Sequence, residues 1–288
     1  MAASWLDRVL TLPQYALPHH ALSLLAHRLT RLRRPAALKN AMIRAFIRAY
    51  GVDMNLAAEP TPEAYPDFNS FFTRPLVPGA RPIAEPPEGI VSPADGAFSQ
   101  LGSIAGDQIF QAKGHQYTLQ ALLGGGAADA APFLGGQFAT IYLSPKDYHR
   151  VHMPCAGTLR SMLHVPGRLF SVNSRTARVV PGLFARNERV VALFDTEAGP
   201  MAVILVGALF VAGIEMVWSG LVTPPTRARV RRWDYEDGPQ LARGAELGRF
   251  NMGSTVIVLF PPGAMAWEPH HGPTDAVQMG ELLGRMLR

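Results

Sequence analysis

Three short stretches of the chain put reactive side chains next to residues that force turns. Val91-Ser-Pro-Ala-Asp95-Gly96 presents a carboxylate at a rigid Pro-x-Asp-Gly corner, which taken alone is an ordinary turn aspartate. Tyr142-Leu-Ser-Pro-Lys-Asp147-Tyr-His149-Arg-Val-His152-Met-Pro154 gathers two histidines three apart, an aspartate and a closing proline. Histidine titrates near neutral pH, so general acid–base work is the first chemistry to expect there. A His-x-x-His pair can also chelate a metal, but without a nearby Cys or Glu it makes a poor cage, and no metal is expected. Cys155 could be a nucleophile beside a histidine, although a lone cysteine in apolar surroundings is more often an inert core thiol.

The third stretch, Gly253-Ser254-Thr255, lies where a polar loop (Arg243–Asn251) meets the apolar run Val256–Phe260. Glycine permits strained backbone angles and exposes its carbonyl, and a serine follows directly. The serine hydroxyl could attack that carbonyl to form an ester. Elimination to dehydroalanine and hydrolysis would then leave an N-terminal pyruvoyl group. Such a reaction needs a base on the serine and an acid that orients the base. Two rival readings leave the chain intact. One is a serine hydrolase built on Ser254, His152 and Asp95, though the Gly-x-Ser-x-Gly elbow is missing and the serine enters a strand. The other is a basic binding protein without chemistry, which would leave the Tyr142–Pro154 stretch without a purpose.

In this order and at these intervals, the three stretches resemble the bacterial phosphatidylserine decarboxylase proenzymes. The similarity spans nearly the whole chain and is strongest in Phe68–Arg74, Ser92–Gly96, Tyr142–Pro154, Phe170–Asn173, Pro181–Pro200 and Gly248–Phe260. Met252 stands where the family commonly has leucine, a swap close in volume. The resemblance implies a pyruvoyl-dependent carboxy-lyase. It would cut itself between Gly253 and Ser254 into a large chain (1–253) and a small chain (254–288) headed by the covalent pyruvoyl cofactor. By the same resemblance His152 is the base of self-cleavage, oriented by Asp95. His149 serves decarboxylation as proton donor or guide for the substrate carboxylate, and Tyr142 and Ser171 line the substrate pocket. The substrate amine would form a Schiff base with the pyruvoyl ketone, lose CO2 and leave as phosphatidylethanolamine.

The elements that must position these residues divide the chain. Residues 1–58 read as helical: Leu22, Leu25, Leu29 and Leu32 recur at three- and four-residue steps, and Met42, Ile43, Phe46, Ile47 and Tyr50 form a second stripe. Asn40 is the expected cap and Gly51 the expected stop of that second helix. Residues 59–93 carry nine prolines and read as extended loop. Beyond them Gln137–Leu143, Arg189–Asp195, Met201–Ile214 and Thr255–Phe260 are Val-, Ile-, Phe- and Leu-rich runs bounded by Gly and Pro, which predict strands. Residues 275–288 read as a short closing helix. The expected fold is therefore α+β, a strand-rich catalytic domain (59–288) with a helical membrane-associating arm (1–58).

Charge points the same way. Residues 1–50 hold eight Lys/Arg against one acid, Asp7, so +7 of charge sits in the arm and the remainder sums to −2 of the total +5. Apolar helix faces rimmed by arginine suit an anionic lipid surface. No nucleic-acid motif accompanies the basic run, so no nucleic-acid partner is expected. No apolar run reaches the ~20 residues of a spanning helix, and Asp7 and Arg8 interrupt any secretory leader. With a single cysteine and no disulfide framework, the expectation is a peripheral protein on the cytoplasmic face of the cell membrane. Its partners would be phosphatidylserine in the membrane, the two chains of one precursor for each other, and, as an open option, a second copy in a homodimer.

Overall fold

The computed structural model describes residues 3–112, 114–210, 213–223, 229–252 and 254–287. Its centre is an antiparallel sheet whose spatial order is Arg231–Asp234, Gly157–Val165, Arg189–Thr196, Gly199–Val206, Ser254–Phe260, Gln137–Leu143, Gly96–Ser103 and Ala276–Val277, with Gln240–Leu241 also pairing on Gly157–Val165. The central strands are apolar on both sides because both faces are covered. Val256, Val258 and Phe260 point into one core and Ile257 and Leu259 into the other. That two-sided burial is why the sequence shows continuous apolar runs and not alternation. A four-stranded sheet (Gly220–Leu221, Ile214–Met216, Glu246–Phe250, Arg150–His152) and a three-stranded one (Gly89–Val91, Leu282–Met286, Met265–Trp267) close the first core.

Three local readings are corrected by this arrangement. Residues 275–288 form no helix: Ala276–Val277 extends the main sheet beside Gly96–Ala97, and Leu282–Met286 lies between Gly89–Val91 and Met265–Trp267. Gly280 takes φ 89°, and Gly284 passes so close to Ala266 that an added Cβ would stand 2.4 Å from its carbonyl oxygen. Glycines at both points weaken a helix, and waiting strand partners decide the outcome. The supposed polar loop Arg243–Asn251 contains the strand Glu246–Phe250, whose Glu246 and Arg249 are neutralised by Arg150 and Glu215 on neighbouring strands. The long apolar run Met201–Ile214 is split. Its strand stops at Val206, and Ile214 opens another strand in a different sheet.

The arm folds as α1 (Trp5–Thr11), α2 (His19–Thr30) and α3 (Ala36–Tyr50), followed by α4 (Phe68–Phe72). Ser4 and Asp7 form a capping box on α1. Gly51, left-handed at φ 65°, stops α3 as expected. Asn40 caps nothing, because the good helix formers after Pro35 start α3 a full turn earlier.

Helices α1 and α2 and the turn between them dock on the segment 167–178 through polar groups and through Tyr15 and His19 packed on Phe170. Asp7 pairs with Arg178 at 3.1 Å, Gln14 donates to Thr176 Oγ1 at 3.3 Å and accepts from the Ser171 amide at 2.9 Å, and His19 Nδ1 accepts from the Leu169 amide at 3.2 Å. The buried residues of α1 and α2 are therefore Asp7, Thr11, His19, Ser23 and Thr30, while Trp5, Leu6, Val9, Leu10, Leu24, Leu25 and Leu29 are exposed. This amphipathicity is inverted relative to that of a helix packed on a protein core.

Candidate active site

Ser254 heads the central strand of the sheet. Its backbone pairs with Leu143, and the next residue, Thr255, lies between Val206 and Tyr142. Gly253, the other half of the expected cleavage bond, lies outside the described residues. The chain reaches this point under constraint. The Phe250 amide is bound to the His149 carbonyl at 3.0 Å and the Asn251 amide to the Gly213 carbonyl at 2.8 Å. Met252 then takes φ 91°, a left-handed value that a side chain with a Cβ adopts only at a cost of about 1–3 kcal/mol. The sequence pointed to strain at Gly253, which lies outside the described residues; the left-handed residue here is Met252, one position earlier.

His149 and His152 leave the same turn in different surroundings. Asp147 fixes the turn by accepting from the Ser144 amide and hydroxyl, both at 2.7 Å. His149 is fully buried, its ring 4.1 Å from that of Phe72. Its Nδ1 stands 2.8 Å from the Asp147 carbonyl. A carbonyl can only accept, so Nδ1 carries the proton, and Nε2, which has no partner, is a bare lone pair. Burial, reinforced by the Arg74 charge and opposed by the Asp147 hydrogen bond, pushes the ring down to about 3. The neutral ring is therefore an acceptor at neutral pH.

This gives a stability prediction. An unfolded histidine binds a proton below its ordinary value of 6.5, whereas folded His149 does so only near 3. Between those values the unfolded state holds more protons, and stability falls as pH drops. Urea unfolding of His149→Gln should lose stability less steeply than wild type between pH 6.5 and pH 3, by up to about 1.4 kcal/mol per pH unit. Parallel curves would rule out a neutral, buried His149.

His152 ends the strand Arg150–His152, and its amide donates to the Pro93 carbonyl at 2.7 Å, tying it to the Ser92–Gly96 turn. The ring donates from Nδ1 to the Gly244 carbonyl at 2.8 Å, which leaves Nε2 to accept from the Tyr148 hydroxyl at 3.1 Å. Burial lowers its proton affinity, against a raising effect from the Gly244 bond. Asp95 is not the group that holds this ring. Its carboxylate is clasped by Arg81 at 2.6–3.1 Å and by the Met279 amide at 2.8 Å, and it acts on His152 only through space. Asp95 therefore ties the Ser92–Gly96 corner to the C-terminal segment at Met279, and the His152 tautomer is set by a backbone carbonyl.

The weaker assignments separate. Tyr142 stands opposite Thr255 on the sheet, half-buried, and its hydroxyl is pushed up by burial. Ser171 belongs to the segment beneath the arm, where its amide is held by Gln14. Cys155 is fully buried, its thiol pushed up to about 12 by burial, which fits a core residue and not a nucleophile.

Residues that sequence reasoning passed over complete the site. Tyr148 contacts His152 directly, and burial pushes its own hydroxyl up to about 12. Arg81 neutralises Asp95. Helix α4 adds Phe68, Phe71 and Phe72, which pack with Phe46 of α3 and with Met252, so the arm reaches the stretch just before Ser254 through one aromatic cluster. Their signal was the Phe68–Arg74 stretch, which carries no chemistry of its own until the fold brings it to His149.

Comparisons with known proteins identify the family. A family model described as phosphatidylserine decarboxylase matches residues 68–285, and a second, described as PSD, matches residues 9–51. The chain is 56% identical over 283 residues to the phosphatidylserine decarboxylase proenzyme of Azotobacter vinelandii, covering 97% of this chain and 98% of that protein. It is 59% identical over 281 residues to the proenzyme of the same name from Ectopseudomonas mendocina, covering 96% and 98%, and 57% identical to that of Bordetella petrii, covering 96% and 97%. Matched over residues 68–285 by that family model and over nearly its whole length by these relatives, the chain belongs to the phosphatidylserine decarboxylase family of carboxy-lyases.

Proposed function

We propose that this chain cleaves itself between Gly253 and Ser254, converts Ser254 to a pyruvoyl group, and decarboxylates phosphatidylserine to phosphatidylethanolamine and CO2 at a membrane surface. The observation that carries the reading is the junction itself: a serine heading a core strand two residues after left-handed Met252, next to the segment bearing both histidines. In self-cleavage the Ser254 hydroxyl adds to the Gly253 carbonyl and the serine nitrogen leaves, giving an ester and a free amine. Loss of the α-proton expels the Gly253 carboxylate, and water then releases ammonia to leave the ketone. His152 accepts the serine proton at Nε2, the nitrogen left bare by its bond to Gly244, and the Tyr148 hydroxyl standing on Nε2 is in line to relay it.

The residues around the junction fit a small carbonyl group at position 254. Asn251 Nδ2 and Thr255 Oγ1 are buried polar atoms without partners on either side of it, and they would hold that group. When formed, it would supply a ketone that takes the substrate amine in Schiff-base linkage and accepts the electron pair left by CO2. His149 accepts a proton from the substrate ammonium at its bare Nε2 and returns it to the carbon that loses CO2. The anionic headgroup raises the ring's proton affinity while it is bound.

The two chains remain together after the cut, because Ser254–Phe260 is paired on both sides and Leu282–Met286 pairs with Gly89–Val91 of the large chain. Within residues 1–58 the inverted helices α1 and α2 supply the lipid-facing surface on the cytoplasmic face, and the body from residue 59 onward carries the chemistry. Among the described residues no helix is long and apolar enough to cross a membrane. An intact-mass spectrum of the denatured protein tests the reading. Two chains split at 253/254, the smaller one trapped by a hydrazine, are expected. A single, hydrazine-silent chain that still decarboxylates phosphatidylserine would overturn it. Cleaved His149→Ala should keep both chains and lose at least about 100-fold in turnover.

A further inference from the structure

Among the described residues two guanidinium groups are deeply buried, and they are treated differently. Arg189 donates to four carbonyls, those of Leu122, Ala121, Ala185 and Asn187, and so ties two helix ends to the sheet. Arg74, 4% exposed, makes a single hydrogen bond, from Nη2 to the Lys146 carbonyl at 3.2 Å. Its Nε and Nη1 have no acceptor, and among the described residues no carboxylate lies within ion-pair reach. Phe71 lies under the guanidinium at 5.5 Å and fixes its plane. A buried cation with free donors on two edges is costly unless something anionic completes it.

The neighbourhood shows where that anion would sit. Arg74 follows α4 directly, and its charge is felt at the His149 ring, whose Nε2 is also unpartnered. Asn69 on α4 donates to Asn251 Oδ1 at 3.0 Å, while Asn69 Oδ1 and Asn251 Nδ2 are buried without partners. Several unsatisfied polar atoms thus border one small region beside the Ser254 junction, in a protein class where buried polar atoms are nearly always paired. We infer that Arg74 is the headgroup anchor of this enzyme, its free Nε and Nη1 donating to an oxyanion of the bound aminophospholipid. An arginine suits the task because it stays charged when buried and holds its donors in a rigid plane.

This inference rests on the phospholipid-decarboxylase reading and can fail separately from it. Arg74→Gln and Arg74→Lys are made in the full chain, checked for cleavage by intact mass, and assayed on phosphatidylserine in mixed micelles. Cleaved Arg74→Gln is expected to raise KM by about 10- to 100-fold with a much smaller change in kcat, and Arg74→Lys to recover part of the loss. Unchanged KM in cleaved Arg74→Gln would overturn the assignment. A purely packing role would instead lower the yield of folded protein and leave KM alone in what remains.

If Arg74→Gln does not fold, competition on the wild-type enzyme decides. Glycerol 3-phosphate at about 10 mM competes if the oxyanion is the phosphodiester, and 3-hydroxypropionate competes if it is the carboxylate. Competition by either, weakened in Arg74→Lys, supports the anchor, and competition by neither overturns it. Cleaved wild type that leaves phosphatidylserine untouched would sink the parent reading instead.

Discussion

Purified Ser254→Ala is expected to be one uncut chain of 288 residues, without decarboxylase activity and without a hydrazine-reactive carbonyl. The effect is all-or-none because the hydroxyl is the nucleophile of the cut, and its departure with the Gly253 carboxylate is what leaves the serine carbons as the cofactor. His152→Ala should slow cleavage by about 10²–10⁴-fold, the usual contribution of a positioned base. Folding should survive in the serine variant, since the strand Ser254–Phe260 is held by its pairing with Leu143–Gln137 and Val206–Ala202 and by the core contacts of Val256 to Phe260. The measurement is a cleavage time course by mass spectrometry from freshly synthesised protein, with circular dichroism as the check on folding. Normal cleavage in Ser254→Ala would remove Ser254 from the chemistry altogether.

The companion variants separate direct from indirect roles. Tyr148→Phe removes the one hydroxyl on His152 Nε2 and should slow cleavage without moving the ring, which Gly244 still holds. Asp95→Asn should also leave the chain uncut, but by another route. It leaves the nearly buried Arg81 without a counter-charge, in a site where breaking such a pair costs about 3–5 kcal/mol, and it weakens the tie to Met279. Asp95→Asn should therefore lose thermal stability along with cleavage, whereas Tyr148→Phe should lose cleavage alone. Equal stability in the two would mean that Asp95 acts on the reaction and not on the frame.

What could be read from the residues, and what could not, follows from how far each signal reaches along the chain. The central strands were legible because burial on both faces writes Val256–Phe260 and Met201–Val206 as unbroken apolar runs. Helices α2 and α3 were legible from leucine and aromatic spacing, and Gly51 marked its own stop. The closing helix was misread because Leu282, Leu283, Met286 and Leu287 satisfy a helical period equally well. Only the pairing of Leu282–Met286 with strands nearly 200 and about 20 residues earlier decides against it. The catalytic residue types stood out in short motifs. The partners of those residues did not: a backbone carbonyl at Gly244, an arginine at Arg81 and an orphaned guanidinium at Arg74 have no local pattern, because their meaning comes from contacts the fold makes. The same limit applies to the arm. Its apolar periodicity was plain, but which face turned inward was settled only by the polar docking of Asp7, Gln14 and His19.

That inversion carries the second large prediction. A helix packed on a soluble protein buries its leucines, whereas here Leu6, Leu10, Leu24 and Leu25 are about half exposed or more and the buried positions are polar. Arg8, Arg28, Arg33 and Arg34 are exposed around them. Such a surface suits a boundary where lipid replaces water on its apolar side and anionic headgroups meet its rim. Changing Leu6, Leu10, Leu24 and Leu25 together to serine should weaken binding to phosphatidylserine-containing vesicles by about 4 kcal/mol, roughly a thousandfold, taking about 1 kcal/mol for each half-buried side chain. Folding, self-cleavage and turnover of a short-chain, monomerically soluble phosphatidylserine should be unchanged, because all four side chains are exposed and belong to none of the buried clusters. Vesicle sedimentation against salt separates the two contributions. Raising ionic strength should strip the arginine share from the wild type and leave the leucine share in place. Retention of the quadruple variant on vesicles would mean that the arm's apolar face is covered by protein, a second copy of the chain being the first candidate. A matching shift from dimer to monomer in that variant would then identify the partner.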